Sequence, residues 1–323
     1  MKLYPLQFQP LFKYRLWGGE QLKTELGKEY SETNIGESWE ISDVDTNETK
    51  VLNGDLKDFT LKQLIKKYKG DFLGQSVYDT FGENFPLLIK FIDAKTPLSV
   101  QVHPSNEIAK IRHNSFGKNE MWFVMQAEKN AELIVGFEEK ITPSQFETHL
   151  KHDTILNVLH KETVQKGDTF YIPTGRVHAI GGGVMLAEIQ QTSNITYRIY
   201  DYNRVDKTTG QQRELHTEQA KDVLDFTVHK NYKTDYKKKV NTSNKLIHSS
   251  YFKSNFLKIE GTLVKDYTKL DSFVIYMCVD GHVKINWKDK IYLLKKGETI
   301  LLPASIKNIS LSSTSCELLE VYL

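Results

Sequence analysis

An eight-residue pattern that occurs twice restricts the folds open to this chain. Lys166-Gly167-Asp168-Thr169-Phe170-Tyr171-Ile172-Pro173 is matched by Lys296-Gly297-Glu298-Thr299-Ile300-Leu301-Leu302-Pro303. Each copy follows strand-like residues, and each proline starts a turn. The repeat predicts a mainly β chain of two related modules, each closed as a barrel. Beyond the prolines the copies diverge. His178 stands five positions after Pro173, and Asn308 five after Pro303. A Gln-x-His pair, Gln101 and His103, precedes only the first copy. The second module is therefore expected to be a structural partner without metal.

The first module carries polar groups where a plain structural strand would avoid them. In LSVQVH, Leu98, Val100 and Val102 share one face, while Ser99, Gln101 and His103 share the other. PLLIKFIDA (Pro86–Ala94) is apolar on both faces except for Lys90. Glu188 and Arg198 interrupt VMLAEIQQ and ITYRIYDY, strands otherwise built for burial. A buried arginine needs an acid or a bound anion, so Arg198 either pairs with Glu188 or serves a site. Lys90 poses the same choice.

Elsewhere the elements are plainer. Pro5 and Pro10 exclude a continuous helix at the start. RLWGG (Arg15–Gly19) supplies glycines for a tight turn or a close backbone approach, with Trp17 as anchor or pocket wall. GESWEISD (Gly36–Asp43) alternates, with Trp39 and Ile41 opposite Ser38 and Glu40. Thr60–Tyr68 reads as a capped helix that Gly70 stops. MWFVMQA and AELIVGF, joined by a short turn, read as a hairpin. Thr142-Pro143-Ser144-Gln145 opens a small helical insertion at about 141–160, with a second short helix from Asp153 to Leu159. Its histidines His149, His152 and His160 share no tidy ligand spacing. A short helix is predicted at Thr217–Leu224. A boundary near 235–248 divides a larger domain, 1–240, from a smaller one, 241–323.

Composition excludes several classes. Lys+Arg number 43 against 41 Asp+Glu, a near balance without a basic patch or a reading motif for nucleic acid. No apolar run suits a bilayer span, and the first residues lack signal-peptide character. Cys278 and Cys316 are far apart in sequence and sit in apolar surroundings, as buried free thiols do. These features predict a soluble, cytoplasmic protein.

Gln101, His103, Glu120 and His178 are the candidate metal ligands. A closed barrel would bring their three segments around one interior. Imidazole, carboxylate and amide oxygen suit zinc or a similar divalent ion, leaving room for water or substrate. The absence of cysteine from the set points to catalysis rather than structure. From chemistry alone, a structural or binding barrel with polar turns fits the same residues.

The motifs RLWGG, GESWEIS, PLSVQVHP, GKNEMW, IPTGRVHAI and EIQQTSNITYRIYDYNR together resemble the type I phosphomannose isomerases, in their short bacterial form. The likeness runs over nearly the whole chain. It implies two cupin-like jelly-roll modules, with one zinc held by Gln101, His103, Glu120 and His178. It implies interconversion of D-mannose 6-phosphate and D-fructose 6-phosphate. Arg198 matches a key active-site arginine, and Ser99, Lys118 and Glu188 match positions lining the same pocket. Where the family often has aspartate, this chain has Asn194, which cannot act as a base.

Such an isomerisation passes through a planar cis-enediol. It needs a proton carrier between C1 and C2 and positive charge against the enediol oxygens. Arg198, Glu188 and Lys118 are the candidate catalytic groups, with Ser99 and Lys90 as substrate-binding groups. Arginine is too basic to serve as an easy base; Glu188 or an activated water suits that task better. No Walker-type phosphate loop is present, since the Gly181–Gly183 run lacks the following lysine and hydroxyl. Another sugar-phosphate enzyme such as an epimerase, a sugar sensor, or an iron oxygenase would share parts of this pattern.

Overall fold

Alternating side chains build the central sheet of the computed structural model, which describes residues 2–323. The sheet has six strands, in the order Thr169–Ile172, Glu120–Ala127, Val184–Gln191, Leu87–Ala94, Leu11–Gly19 and Ile35–Ile41. Ile35–Ile41 also pairs directly with Leu87–Ala94. One face of this sheet carries Ile89, Phe91, Met121, Phe123, Ala187 and Ile189. The other carries Ile92, Trp122, Val124 and Leu186, together with Lys90, Glu120 and Glu188. Period two alone makes this division. Every residue of Leu87–Ala94 and Val184–Gln191 is buried because both faces of the sheet are covered.

The polar-bearing face packs on a five-stranded sheet, ordered Leu159–Thr163, Glu132–Phe137, His178–Ile180, Val100–Val102 and Tyr197–Tyr200. Leu133, Val135, Phe170, Ile172 and Ile180 fill the space between the two sheets. The expected hairpin between Met121–Ala127 and Ala131–Phe137 does not form. The connection instead carries the chain from one sheet to the other. Trp122 and Val124 on one side then meet Leu133 and Val135 on the other, a contact that pairing the two segments edge to edge would forfeit.

The outer face packs on the last part of the chain. There, Asn244–His248, Lys253–Asp266, Asn308–Tyr322, Val274–Trp287 and Lys290–Lys295 form one sheet, with Thr299–Leu302 against Val274–Trp287. Its long strands bend where the register shifts, at Ile259/Gly261 and Cys278/Asp280. They wrap around their own core of Leu257, Tyr276, Val283, Ile300 and Leu318. Among the described residues no sheet closes into a barrel, contrary to expectation. In the first module, loops rather than ladders join the two sheets. In the last part, bulged strands fold over without meeting edge to edge.

The sequence repeat is a structural one. Gly167 and Gly297 both adopt positive φ, at 91° and 84°. Asp168 accepts the N–H of Gln165, and Glu298 that of Lys295, in the same turn. Gly167 N donates to Val124 O and Gly297 N to Cys278 O, both at 2.8 Å. In this register Val274 stands where the first module has Glu120. Cys278 and Cys316 are buried and free, yet their Sγ atoms lie 3.6 Å apart.

Helices flank the sheets. Thr60 and Gln63 form the expected capping box ahead of Leu61–Tyr68. Gly70 does not stop that helix. Lys69 turns the chain at positive φ, and Gly70 opens the next helix, Gly70–Leu73, followed by Gln75–Phe81. Thr142 caps Pro143–Lys151 with its own capping box. The second helix expected there is only a 3-10 turn, Ile155–Asn157, because Leu159 is recruited into a strand. Thr217–Lys221 is helical, a little shorter than expected. Asn106–His113 was not anticipated; Ser105 caps it by accepting Ile108 N–H. Leu6 pairs with Leu301, so the start of the chain lies on the second module. No helix among the described residues is long and apolar enough to cross a membrane.

Candidate metal centre and active site

The two facing sheets bring four predicted ligands together. The register sets His178 opposite Gln101. His103 follows directly after Val100–Val102, and Glu120 opens its strand on the other sheet. His103 Nε2 and His178 Nε2 are 3.1 Å apart. Glu120 Oε1 lies 3.4 Å from His178 Nε2, and Oε2 lies 3.5 Å from His103 Nε2. The Gln101 amide is 3.3 Å from His178 Nε2; turned about its last bond, it presents oxygen. A tetrahedral ion with bonds of about 2.0–2.1 Å separates its ligand atoms by about 3.3 Å.

The outer contacts fix the chemistry. His103 Nδ1 meets Ile195 O at 3.0 Å, and His178 Nδ1 meets Arg176 O at 2.8 Å. Each Nδ1–H therefore donates outward and leaves a lone pair on Nε2. Burial, helped by Lys118, pushes His103 down to about 3. Burial also lowers His178. Burial opposes ionisation of Glu120, but Lys118 and His103 hold it well below the usual carboxylate range. Both Glu120 oxygens are buried without a hydrogen-bond partner, with Lys118 Nζ 3.2 Å from Oε2. Two facing lone pairs and a carboxylate repel one another in a dry interior; Lys118 offsets part of this from one side, and a cation between the three groups would offset the rest. The residues fit a divalent metal, and His103, Glu120 and His178 are the only such cluster among the described residues. His149, His152 and His160 bond locally instead, to Thr154, Thr148 and Glu138.

Beside the centre lies a cavity of about 500 Å³. Ser99, Gln101, Lys118, Glu188, Arg198 and Lys90 line it, as does Asn194. Arg198 is the register neighbour of Gln101. It does not pair with Glu188, the plain structural alternative. Lys90 takes that carboxylate at 2.9 Å, and Trp122 Nε1 donates to its other oxygen at 3.0 Å. Arg198 Nη1 donates to Glu214 O, while its Nε is buried without a partner. Burial would lower Lys118, but the Glu120 and Glu188 carboxylates raise it above the usual value.

Sequence reasoning missed four charged lining residues, Glu37, Arg15, Asp206 and Arg213. Glu37 shares the Trp39 face by period two, a signal present in GESWEIS, and accepts from Trp39 Nε1 at 2.6 Å. Burial opposes its ionisation, but Arg15 and Lys90 hold it well below the usual range. Glu40 lies on the opposite face, paired with Lys28 at 2.7 Å and near Thr299 of the second module.

A mainly β, double-sheet fold with a buried His-Glu-His cluster beside a cationic cavity is that of a metal-dependent enzyme with a cupin-type domain. Residues 5–149 match the catalytic-domain model of phosphomannose isomerase type I, and residues 242–323 match the cupin-domain model of mannose-6-phosphate isomerase. The chain is 34% identical over 319 residues to the mannose-6-phosphate isomerase ManA of Bacillus subtilis, covering 96% of each. It is 33% identical over 305 residues to the mannose-6-phosphate isomerase of Streptococcus mutans, covering 94% of each. The crystal structure of the mannose 6-phosphate isomerase from Bacillus subtilis superposes with a TM-score of 0.91 at 29% identity, spanning 99% of this chain and 100% of that one. The chain belongs to the type I phosphomannose isomerase family.

Proposed function

We propose that this protein is a zinc-dependent aldose–ketose isomerase. It interconverts D-mannose 6-phosphate and D-fructose 6-phosphate through a cis-enediol. Two cupin-like jelly-roll modules, 1–240 and 241–323, form the chain, and the first carries one zinc on Gln101, His103, Glu120 and His178. The observation that carries this reading is the buried Glu120 carboxylate clustered with the Nε2 atoms of His103 and His178 beside a cationic cavity. The paired buried thiols suit a reducing, cytoplasmic setting.

Zinc in this site would polarise the substrate oxygens and stabilise negative charge on them. Arg198, one strand from Gln101, supplies a fixed cation at the reacting carbons. Lys118 holds a second positive charge beside Glu120. Glu188 is the carboxylate candidate for moving the proton between C1 and C2; Lys90 and Trp122 fix its orientation. Ser99 lines the same cavity and positions the sugar.

A coupled assay on mannose 6-phosphate, before and after chelation and zinc return, tests the reading. Fully metallated protein without activity defeats it. Solvent-deuterium exchange at C2 in Glu188→Gln tests the proton carrier; near-normal exchange removes Glu188 from that role.

A further inference from the structure

The cavity holds five cationic side chains against three anionic ones. They are not equivalent. Lys90 and Lys118 are each only 6% exposed and are committed to Glu188 and Glu120 at 2.9 and 3.2 Å. Ammonium groups this buried have little surface left to offer an incoming anion. Arg15 and Arg213 are 33% and 22% exposed. We infer that Arg15 and Arg213 form the clamp that recognises the substrate's phosphate, a role that rests on the isomerase reading above.

Their hydrogen bonds support this. Arg15 uses Nε and Nη2 on the two oxygens of Glu37, both at 3.0 Å, and Nη1 on Tyr14 O. Arg213 uses Nε and Nη2 on the two oxygens of Asp201, at 2.8 and 2.6 Å. A guanidinium has five N–H donors in a rigid fork. A carboxylate on one edge fixes the plane and leaves the Nη1 edge of Arg213 to meet an anion. Asp201 acts as a positioning residue, since it also holds Arg204.

The two arginines reach the cavity from separate elements. Arg15 lies on Leu11–Gly19. Arg213 follows a small hairpin, Val205–Asp206 with Gln211–Gln212. Tyr14, beside Arg15, meets this hairpin through Asp206 Oδ1 at 3.2 Å and Thr208 Oγ1 at 2.9 Å. An extended hexose phosphate has its reacting carbons at one end and its phosphate at the other. With C1–C2 beside Gln101 and Arg198, the phosphate is left to the more exposed cations, Arg15 and Arg213.

The test uses the zinc-loaded full chain. Arg15→Gln and Arg213→Gln are each expected to raise KM for mannose 6-phosphate about 30-fold and the inhibition constant of inorganic phosphate about 10-fold. Zinc content stays constant, and kcat falls less than KM rises. Arg213→Lys, which keeps the charge without the fork, is expected to fall between. Unchanged KM and unchanged phosphate inhibition overturn the inference, as does a loss confined to kcat. Should a Gln variant not fold, Arg213→Lys decides by the same two readouts. A wild-type chain that cannot convert mannose 6-phosphate sinks the isomerase reading instead. Calorimetry of inorganic phosphate on the same variants then decides the clamp, which falls if their affinity matches wild type.

Discussion

Glu320 occupies in the second module the place that Glu188 occupies in the first. Glu188 stands opposite Trp122 on one neighbouring strand and Lys90 on the other. Glu320 stands opposite Tyr276 and Asn255 in the same register relative to the repeated turn. Around Glu188 the buried face opens to a cavity. Around Glu320 it is closed by Lys265 at 2.6 Å, Asn255 at 2.8 Å, Ser243 at 2.9 Å and Tyr267 at 2.5 Å. The carboxylate survives in both modules, but with Val274 in place of Glu120 the second offers no comparable ligand set.

Replacing Glu320 therefore tests structure without chemistry. Glu320→Gln leaves Lys265 and two tyrosine hydroxyls around a neutral group. It should lower stability by about 3 kcal/mol in urea melts. Metal analysis should still find one zinc per chain. Loss of zinc from this variant would place the metal in the wrong module.

Lys90 should matter for the opposite reason. Lys90→Met leaves Glu188 buried without its cation and is expected to cost about 3–5 kcal/mol. Adding Glu188→Gln removes the stranded charge and should restore more than half of the loss. If the double variant is no more stable than the single one, the pair does not act as a unit.

Metal removal should register in stability as well as activity. A ligand at about 100 times its dissociation constant stabilises by about 2.7 kcal/mol. Chelation should therefore lower the Tm by several degrees, and zinc should restore it. His178→Ala should melt alike with and without zinc, and its turnover should fall by several orders of magnitude. A zinc-dependent Tm that persists in His178→Ala would move the site elsewhere.

Asp93 gives a pH signature away from the cavity. Burial pushes its carboxyl up to about 6 from an ordinary 3.8, against a hydrogen bond from Gln21 N–H that lowers it. The folded chain then binds more protons than the unfolded one between about pH 4 and 6. Stability falls as pH rises through that window and stays penalised above it. Asp43, also raised to about 6, contributes with the same sign. Asp93→Asn should flatten part of the fall and stabilise the protein by about 1 kcal/mol at pH 7.5. Melting curves at pH 4 and pH 7.5 check this; an equal effect at both would refute it.

Much of the site was legible because its signals are local. Gln101 and His103 share a face by strand period, and the repeat showed that the second copy lacks both His178 and the Gln-x-His pair. The capping boxes at Thr60 and Thr142 were equally readable. Glu37 escaped notice although it lies two residues from Trp39, because Glu40 drew attention to the wrong face. Arg15 and Arg213 had no local mark at all. Their role depends on carboxylates 22 and 12 residues away.

The sequence by itself determined which residues point together along each strand, where helices begin, and which module can hold a metal. Tertiary structure alone decided that Glu132–Phe137 crosses to the second sheet, that Lys90 rather than Arg198 takes Glu188, and that the sheets remain open. The difference is one of range. Alternation and capping act between residues a few positions apart. The partner a buried charge finds depends on which strands the whole core brings into contact.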